Sequence, residues 1–232
     1  QGEHGRDEHG QGEHGRDEHG QGEHGRVGKE PSRAVAGRAA FPGGSRTPPV
    51  EFDLLGWPSD GPTLDLDHER FAYAGKFVMS STGKAVAREG GGVVGAVAFN
   101  EDRTDAGTCW LRYVTVRRDR RGEGIGPRLL SFVRDEVAAS GYERVRIAVN
   151  NAFAYEACYR AGFRFTGEET GVAELVLEWP PDDAGGEEAY ASGMRRLASR
   201  DLTEAERDLV ETALDRGRPG GREGVSDDRP AG

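Results

Sequence analysis

The stretch over residues 109–130 constrains the fold more strongly than any other part of this 232-residue chain. Its first half is an apolar and aromatic run, which predicts a largely buried strand. Four arginines then crowd a turn, glycines alternate at Gly122, Gly124 and Gly126, and a helical apolar pattern begins at Ile125. Glycines permit positive φ and a close approach of backbone to ligand, so the stretch predicts a strand–turn–helix unit with a candidate ligand site.

The start of the predicted helix favours an anionic ligand. Its first N–H groups lack partners within the helix, the helix dipole is positive there, and neighbouring arginines suit phosphate. A Walker-type loop is excluded because Gly126-Pro127-Arg128 stands where Gly-Lys-Ser/Thr is required, and Pro127 also occupies the third glycine position of a dinucleotide-binding fingerprint. The alternative to a ligand site is a glycine-rich turn that only packs well.

A second motif lies downstream, over residues 151–163. It contains Asn-Ala-Phe-Ala-Tyr-Glu-Ala-Cys-Tyr-Arg-Ala-Gly-Phe, and the earlier turn over residues 121–126 contains Arg-Gly-Glu-Gly-Ile-Gly. Together they resemble the two motifs of the GNAT N-acyltransferases, Arg/Gln-x-x-Gly-x-Gly/Ala and Asn-x-x-Ala-x-x-x-Tyr-x-x-x-Gly-Phe. Cys158 stands where that family usually has tyrosine. The resemblance covers residues 50–179, and the positions in register in the second motif are Asn151, Ala154, Gly162 and Phe163.

The order of predicted elements agrees with the fold that this resemblance implies. Antiparallel strands precede a parallel strand–helix–strand unit, which predicts an α/β fold with a mixed central β-sheet flanked by helices. Residues 71–79 fit a strand or a short helix equally well. The other predicted elements are strands over 50–55, 84–88, 93–99, 144–149, 163–166 and 173–178, and helices over 125–140 and 152–161.

The resemblance implies transfer of an acetyl group from acetyl-coenzyme A, as co-substrate, to an amine. In that family the two central strands splay apart and the pantetheine arm lies between them. The implied cofactor-binding residues are Arg121 with the amides of Gly122, Glu123, Gly124, Ile125 and Gly126 for the pyrophosphate, the backbone of Val114, Thr115 and Val116 for pantetheine, and Asn151 near the thiol. The alternative is a non-catalytic coenzyme A-binding or sensor module of the same fold. No motif identifies the acceptor.

The proton donor for the leaving thiolate is the least defined part of the site. With Cys158 at the usual tyrosine position, Tyr155 one helical turn earlier and Tyr159 one residue later are the candidate acids, and Tyr159 is slightly favoured. The thiolate could also leave without an acid, because thiols are acidic. Both tyrosines are equally well explained as core aromatics.

The chain divides into a disordered low-complexity tail and linker over 1–49, an acetyltransferase domain over 50–180, and a C-terminal helical extension with a disordered end over 181–232. Residues 1–26 repeat the unit QGEHGRDEHG without an apolar side chain, which predicts disorder. The regularly spaced histidines of this tail suggest either a metal-binding tract or, our preference, a solvated tail with no metal.

The net charge and the lack of a recognisable targeting signal limit the classes of binding partner that we expect. A net charge of −10 argues against a nucleic-acid binder. The sequence shows neither a secretory signal nor an apolar run of membrane-spanning length, and Cys109 and Cys158 do not make a disulfide framework, so we expect cytoplasmic residence and no membrane partner.

The amphipathic C-terminal helices, with a capping box from Thr203 to Glu206, are interpreted as an arm over the acceptor site, a homodimer contact or a surface hairpin.

Overall fold

The computed structural model describes residues 48–181 and 186–220. The strands are β1 (Val50–Gly56), β2 (Gly83–Glu89), β3 (Gly92–Glu101), β4 (Thr108–Val116), β5 (Arg144–Val149), β6 (Arg164–Glu169) and β7 (Leu175–Trp179). They form one seven-stranded sheet in the order β1-β2-β3-β4-β5-β7-β6. The β4–β5 pair is parallel and the other pairs are antiparallel, so the sheet is mixed as predicted.

The helices are α1 (Ile125–Ala139), α2 (Ala152–Arg160), α3 (Glu187–Ala198) and α4 (Glu204–Arg216). The predicted elements are confirmed within one or two residues at most ends. Residues 71–79, where the pattern left strand and helix open, contain only the 3₁₀ turn Ala74–Lys76. Alternation and helical spacing placed the other elements correctly because each has one apolar face, whereas the aromatics of this segment follow neither period.

Two apolar clusters lie on opposite faces of the sheet. The larger one joins α1, α2, α3 and α4 to one face, with Leu129, Val133 and Val137 of α1 fully buried at helical spacing. The smaller one lies under residues 57–82, which connect β1 to β2 and which we call the 57–82 segment. Phe71 and Phe77 of this segment pack on Val86, Ala96 and Ala98, so the second face is covered by a connection without an α-helix.

The C-terminal helices share the larger cluster with the sheet. Tyr190, Met194 and Leu197 of α3 are each 0% exposed. The predicted capping box of α4 is present, since Thr203 Oγ1 accepts from the N–H of Glu206 and the Glu206 carboxylate accepts from the N–H of Thr203. Because the apolar face of α3 is buried within its own chain, a homodimer through these helices stays a prediction.

The remaining predictions about chain organisation concern residues that the structure does not describe. The repeats, the linker as far as residue 47 and the chain end from residue 221 lie outside the described residues. The domain boundaries at residues 49 and 180 stay predictions. Within the described ranges, no helix combines the length and apolar character needed to cross a membrane.

Candidate functional site

The parallel strands β4 and β5 part from one another halfway along the sheet. Residues 108–111 of β4 pair with residues 144–147 of β5. Beyond these pairs, β4 continues to Val116 while the last residues of β5 pair only with β7. The edge of β4 that faces β5 therefore has no partner strand over residues 112–116 among the described residues, and its peptide groups are available to a ligand.

A β-bulge marks the point where the strands part. Phe99 pairs with Leu111 and Ala98 pairs with Tyr113, so Arg112 is an extra residue on β4. Bulges of this kind bend a strand and re-aim its side chains, and they are common next to active sites. The bulge turns β4 away from β5 immediately after their last shared pair, Leu111 with Ile147.

Beyond the free edge of β4, residues 121–126 form the glycine-rich turn that leads into α1, which we call the 121–126 turn. Gly122 and Gly124 have φ of 83° and 75°, in the left-handed region that favours glycine. No hydrogen-bond partner for the main-chain N–H groups of residues 122–126 exists among the described residues, and α1 has no side-chain cap. These consecutive donors at a helix start form an anion-binding concavity.

The arginines in and around the 121–126 turn differ in whether they have a carboxylate partner. Arg120 binds the carboxylates of Glu89 and Glu123, and Arg117 Nε lies 2.7 Å from Asp119 Oδ1, so both are held within the fold. The other three arginines, Arg118, Arg121 and Arg128, have no carboxylate partner among the described residues. The predicted ligand Arg121 is therefore a cation without a carboxylate partner among the described residues, next in sequence to the unpaired amides.

Asn151 lies at the start of α2, on the β5 side of the opening. Its Oδ1 accepts from the N–H of Ala154 at 2.9 Å, so Asn151 is the N-cap of the helix. Arg200, which follows α3, donates to the carbonyl oxygen of the neighbouring Asn150 at 3.0 Å and to that of Ala173. The C-terminal segment thus supports the turn that carries Asn151.

The three candidate acids lie in the core rather than at the opening. Tyr155 and Cys158 are 0% exposed and Tyr159 is 2% exposed. Tyr155 Oη lies 3.3 Å from the carbonyl oxygens of Ala189 and Tyr190, and Tyr159 Oη accepts from the N–H of Phe165 at 3.1 Å. Burial raises the pKa of all three groups above their usual values. Their predicted catalytic role stays untested, and these positions favour a packing role.

Lys84 is a buried cation that the sequence motifs do not include. Its ammonium is 0% exposed and donates to the carbonyls of Pro62, Met79 and Thr82 at 2.7, 2.6 and 2.9 Å, and to Thr82 Oγ1 at 2.9 Å. Burial lowers the pKa of Lys84. Because two of these carbonyls lie at opposite ends of the 57–82 segment, Lys84 fixes that segment over the second face of the sheet.

Thr115 has a buried hydroxyl without a partner. The residue is 3% exposed, and its Oγ1 makes no hydrogen bond among the described residues. Thr115 pairs with Ala96, which belongs to the cluster under the 57–82 segment, so its side chain lies on that face of β4. An unpaired buried hydroxyl is unfavourable, and a bound ligand is one way to satisfy it.

The residues that form this site also match a known protein family. A model of the acetyltransferase (GNAT) family matches residues 51–163, which include the opening between β4 and β5, the 121–126 turn and α2. The domain over residues 51–163 therefore belongs to the GNAT family. The mixed sheet that parts between its two parallel strands is the GNAT-like fold that the sequence motifs predicted.

Several solved structures resemble the part of this chain that contains the GNAT domain. An N-acetyltransferase from Staphylococcus aureus Mu50 has 23% identity and a TM-score of 0.38, over 42% of this chain and 66% of that one. The PaiA N-acetyltransferase of Thermoplasma acidophilum, in complex with coenzyme A, has 18% identity and a TM-score of 0.36, over 41% and 58%. A Bacillus subtilis acetyltransferase in complex with CoA has 14% identity and a TM-score of 0.45, over 56% and 97%.

The first two of these structures are matched over less than two thirds of their length, at 66% and 58%. No curated protein sequence matches the chain. Within the part of the chain that the structure describes, no group of three or more His, Cys, Asp or Glu side chains is placed to hold a metal ion. The histidines of the tail lie outside that part.

The sequence motifs describe the predicted cofactor side of the opening but not its other side. Arg112 and Tyr113 lie on β4 beside the opening, and Tyr113 packs against the cluster under the 57–82 segment. The family motifs do not contain these positions, and a single bulge residue cannot be recognised from strand alternation. Lys84 did carry a signal, since it is one of only three lysines in the chain and directly precedes the apolar residues 85–87 of β2.

Proposed function

We propose that this chain is an N-acetyltransferase that uses acetyl-coenzyme A as co-substrate and an amine as acceptor. The observation that carries the proposal is the alignment of two sets of unused peptide groups. Five residues, including the short 3₁₀ turn Arg118–Arg120, separate the unpaired amides of residues 122–126 from the unpaired edge of β4 over residues 112–116. The amides of residues 122–126 can bind a phosphate group, and the edge of β4 can pair with an extended amide chain. Coenzyme A contains both groups.

The dimensions of the site support this assignment. Strand residues rise about 3.3 Å each, so residues 112–116 span about 16 Å. This length suits an extended pantetheine arm with its pyrophosphate at the 121–126 turn, held by the amides and by Arg121. The thioester then lies beside Arg112 and Tyr113, where β4 leaves β5. The unpaired hydroxyl of Thr115 lies between the two ends.

The reaction needs positioning more than covalent help from the protein. Acetyl-coenzyme A supplies an activated thioester. The neutral amine nitrogen forms a bond to the acetyl carbon, the carbon–sulfur bond breaks, and the proton from the amine ends on the departing thiol. An acceptor that arrives as an ammonium loses one further proton to solvent. Unpaired β4 amides beside the thioester carbonyl favour the charge that develops on its oxygen.

A second candidate function is a coenzyme A-binding or sensor module. The observation that favours it is the burial of Tyr155, Cys158 and Tyr159, which leaves no hydroxyl or thiol of α2's second half at the opening. We prefer the enzyme because a thiolate is a good leaving group and does not require a strong acid. Thiol release from acetyl-coenzyme A over a panel of amines distinguishes the two functions.

The binding test uses the glycine at the centre of the turn. Gly124→Asp places a side chain and a negative charge beside the unpaired amides, so we expect a loss of affinity for acetyl-coenzyme A of about tenfold or more by calorimetry. Gly124→Ala measures the effect of backbone strain at φ 75° alone. Gly171→Asp is the matched control, because a Cβ at Gly171 also meets no atom within 4 Å. Unchanged affinity in Gly124→Asp would contradict the assignment.

A further inference from the structure

The face of the sheet that carries the 57–82 segment has a polar and aromatic group at the parting of the strands. Tyr113 pairs with Ala98 and Trp110 pairs with Asn100. Ala98 and Asn100 are two residues apart on β3, so both pairs lie on the same face of the sheet. Arg112, the bulge residue between them, stacks on this face, with its guanidinium carbon 5.2 Å from the Trp110 ring centroid.

Two cations on this face have free hydrogen-bond donors. Arg112 donates from Nε to Asn100 Oδ1 at 2.6 Å, and its two Nη groups have no partner in the described parts of the chain. Lys76 Nζ lies 5.8 Å from the ring centroid of Tyr113 and makes no ion pair within those same parts. Both cations are exposed and can bind an anion.

Tyr73 is the last residue of this group, and its own backbone conformation is strained. Its φ of 59° is unusual for a residue with a large side chain, and the residue is 54% exposed. The ring lies 6.1 Å from that of Tyr113, between centroids. Strain at an exposed aromatic residue is retained where the surroundings hold it, and here Lys84 fixes the segment that carries it.

We propose that the acceptor is an amine that also bears a carboxylate. Arg112 and Lys76 bind the carboxylate, Tyr73 and Tyr113 contact the carbon chain between the two groups, and the amine points to the free edge of β4. This inference rests on the proposed function, because it takes the thioester to lie beside residues 112 and 113. The specificity comes from two cations on one face of the opening, and neither cation is needed to bind coenzyme A.

The test compares acceptors that differ only in this charge. 4-Aminobutyrate and β-alanine are each paired with the corresponding carboxamide, and glycylglycine with glycylglycinamide, in a thiol-release assay at saturating acetyl-coenzyme A. We expect kcat/KM to be at least tenfold higher for the carboxylates. Arg112→Gln and Lys76→Gln should each raise KM for the carboxylates about tenfold, with KM for the carboxamides and the calorimetric affinity for acetyl-coenzyme A unchanged.

Two further variants sharpen the test. Arg195→Gln is the matched control, since Arg195 is an exposed arginine of α3 that pairs only with the exposed Glu188 of the same helix, and it should behave as wild type. Arg112→Glu should invert the preference toward the carboxamides. Thermal melting checks that each variant is folded.

The outcomes separate this inference from the proposed function. Equal rates for carboxylates and carboxamides, or an Arg112→Gln enzyme with unchanged KM, would overturn the inference and leave the acetyltransferase standing. A protein that binds acetyl-coenzyme A but neither acetylates nor binds any carboxylate of the panel by calorimetry would overturn it as well. A protein that does not bind acetyl-coenzyme A at all would overturn the proposed function itself.

Discussion

At the scale of single residues, hydroxyl groups of α2 stabilise the contact with later elements of the chain. Tyr155 Oη lies 3.3 Å from the carbonyl of Ala189 on α3, and Tyr159 Oη accepts from the buried N–H of Phe165 on β6 at 3.1 Å. Both tyrosines also pack against Tyr190. A buried hydroxyl that already satisfies backbone groups is poorly placed to give its proton to a thiolate at the opening.

Removing the Tyr159 hydroxyl should therefore reduce stability more than catalysis. Tyr159→Phe leaves the Phe165 N–H without a partner, at a cost of about 1–3 kcal/mol of the free energy of unfolding. We expect a lower melting temperature and a kcat within a few-fold of wild type at saturating acetyl-coenzyme A. Tyr155→Phe and Cys158→Ala are the comparisons on the same helix. A fall in kcat of about 100-fold with an unchanged melting temperature would instead identify Tyr159 as the general acid.

At the scale of elements, a buried carboxylate joins three helices. Glu156 of α2 is 3% exposed, and its carboxylate accepts from Tyr190 Oη of α3 at 2.6 Å. It also lies 2.5 Å from Arg216 Nη2 of α4 and 3.0 Å from Arg160 Nη2. The single side chain thus fixes α3 and α4 to the helix that begins at the candidate site.

Breaking this network should release the C-terminal helices. Glu156→Ala leaves the buried Tyr190 hydroxyl without its acceptor and the partly exposed Arg216 without its carboxylate, and we expect a loss of about 1–3 kcal/mol of the free energy of unfolding. Amide hydrogen exchange should increase first in α3 and α4. Glu188→Ala is the control, because its pair with Arg195 is exposed and contributes less than about 1 kcal/mol. Equal exchange in both variants would show that Glu156 does not hold the helices.

The elements also show how far sequence reasoning reaches in this protein. The strand Arg144–Val149 and the capping box of α4 follow from local patterns, and both are confirmed. The close packing of α3 on α2 could not be predicted in this way. A Cβ on Gly193 would lie 2.0 Å from Tyr155 Oη, so only glycine fits there, but nothing near Gly193 in the sequence distinguishes this glycine from a helix-weakening one.

The same limit explains the candidate site. The predicted cofactor side depends on residues that are close in sequence, from the end of β4 through the 121–126 turn, so a local motif describes it. The proposed acceptor side combines Tyr73 and Lys76 of the 57–82 segment, whose side chains lie near the Tyr113 ring, with Arg112, the bulge residue next to Tyr113 in sequence. Their proximity results from the tertiary fold and from the fixing of the segment by Lys84, and no local period encodes either.

At the scale of the whole molecule, the two ends of the chain should differ in their contribution to stability. Residues 1–26 contain no apolar side chain to bury, whereas α3 places Tyr190, Met194 and Leu197 in the main core. Burying a large apolar side chain contributes about 1.5–3 kcal/mol, so these three contribute about 5–9 kcal/mol. That is comparable with the total stability of a typical domain, about 5–15 kcal/mol.

We therefore expect opposite results from two truncations. A chain that begins at Pro48 should melt within error of the full chain and bind acetyl-coenzyme A with the same affinity, because it keeps every core and candidate-site residue that the structure describes. A chain that ends at Pro181 should be unfolded or molten by near-ultraviolet circular dichroism, because α2 and β6 lose the aromatic cover that Tyr190 provides. A cooperative melting transition near the wild-type temperature in the second truncation would show that residues 48–181 fold without α3 and α4.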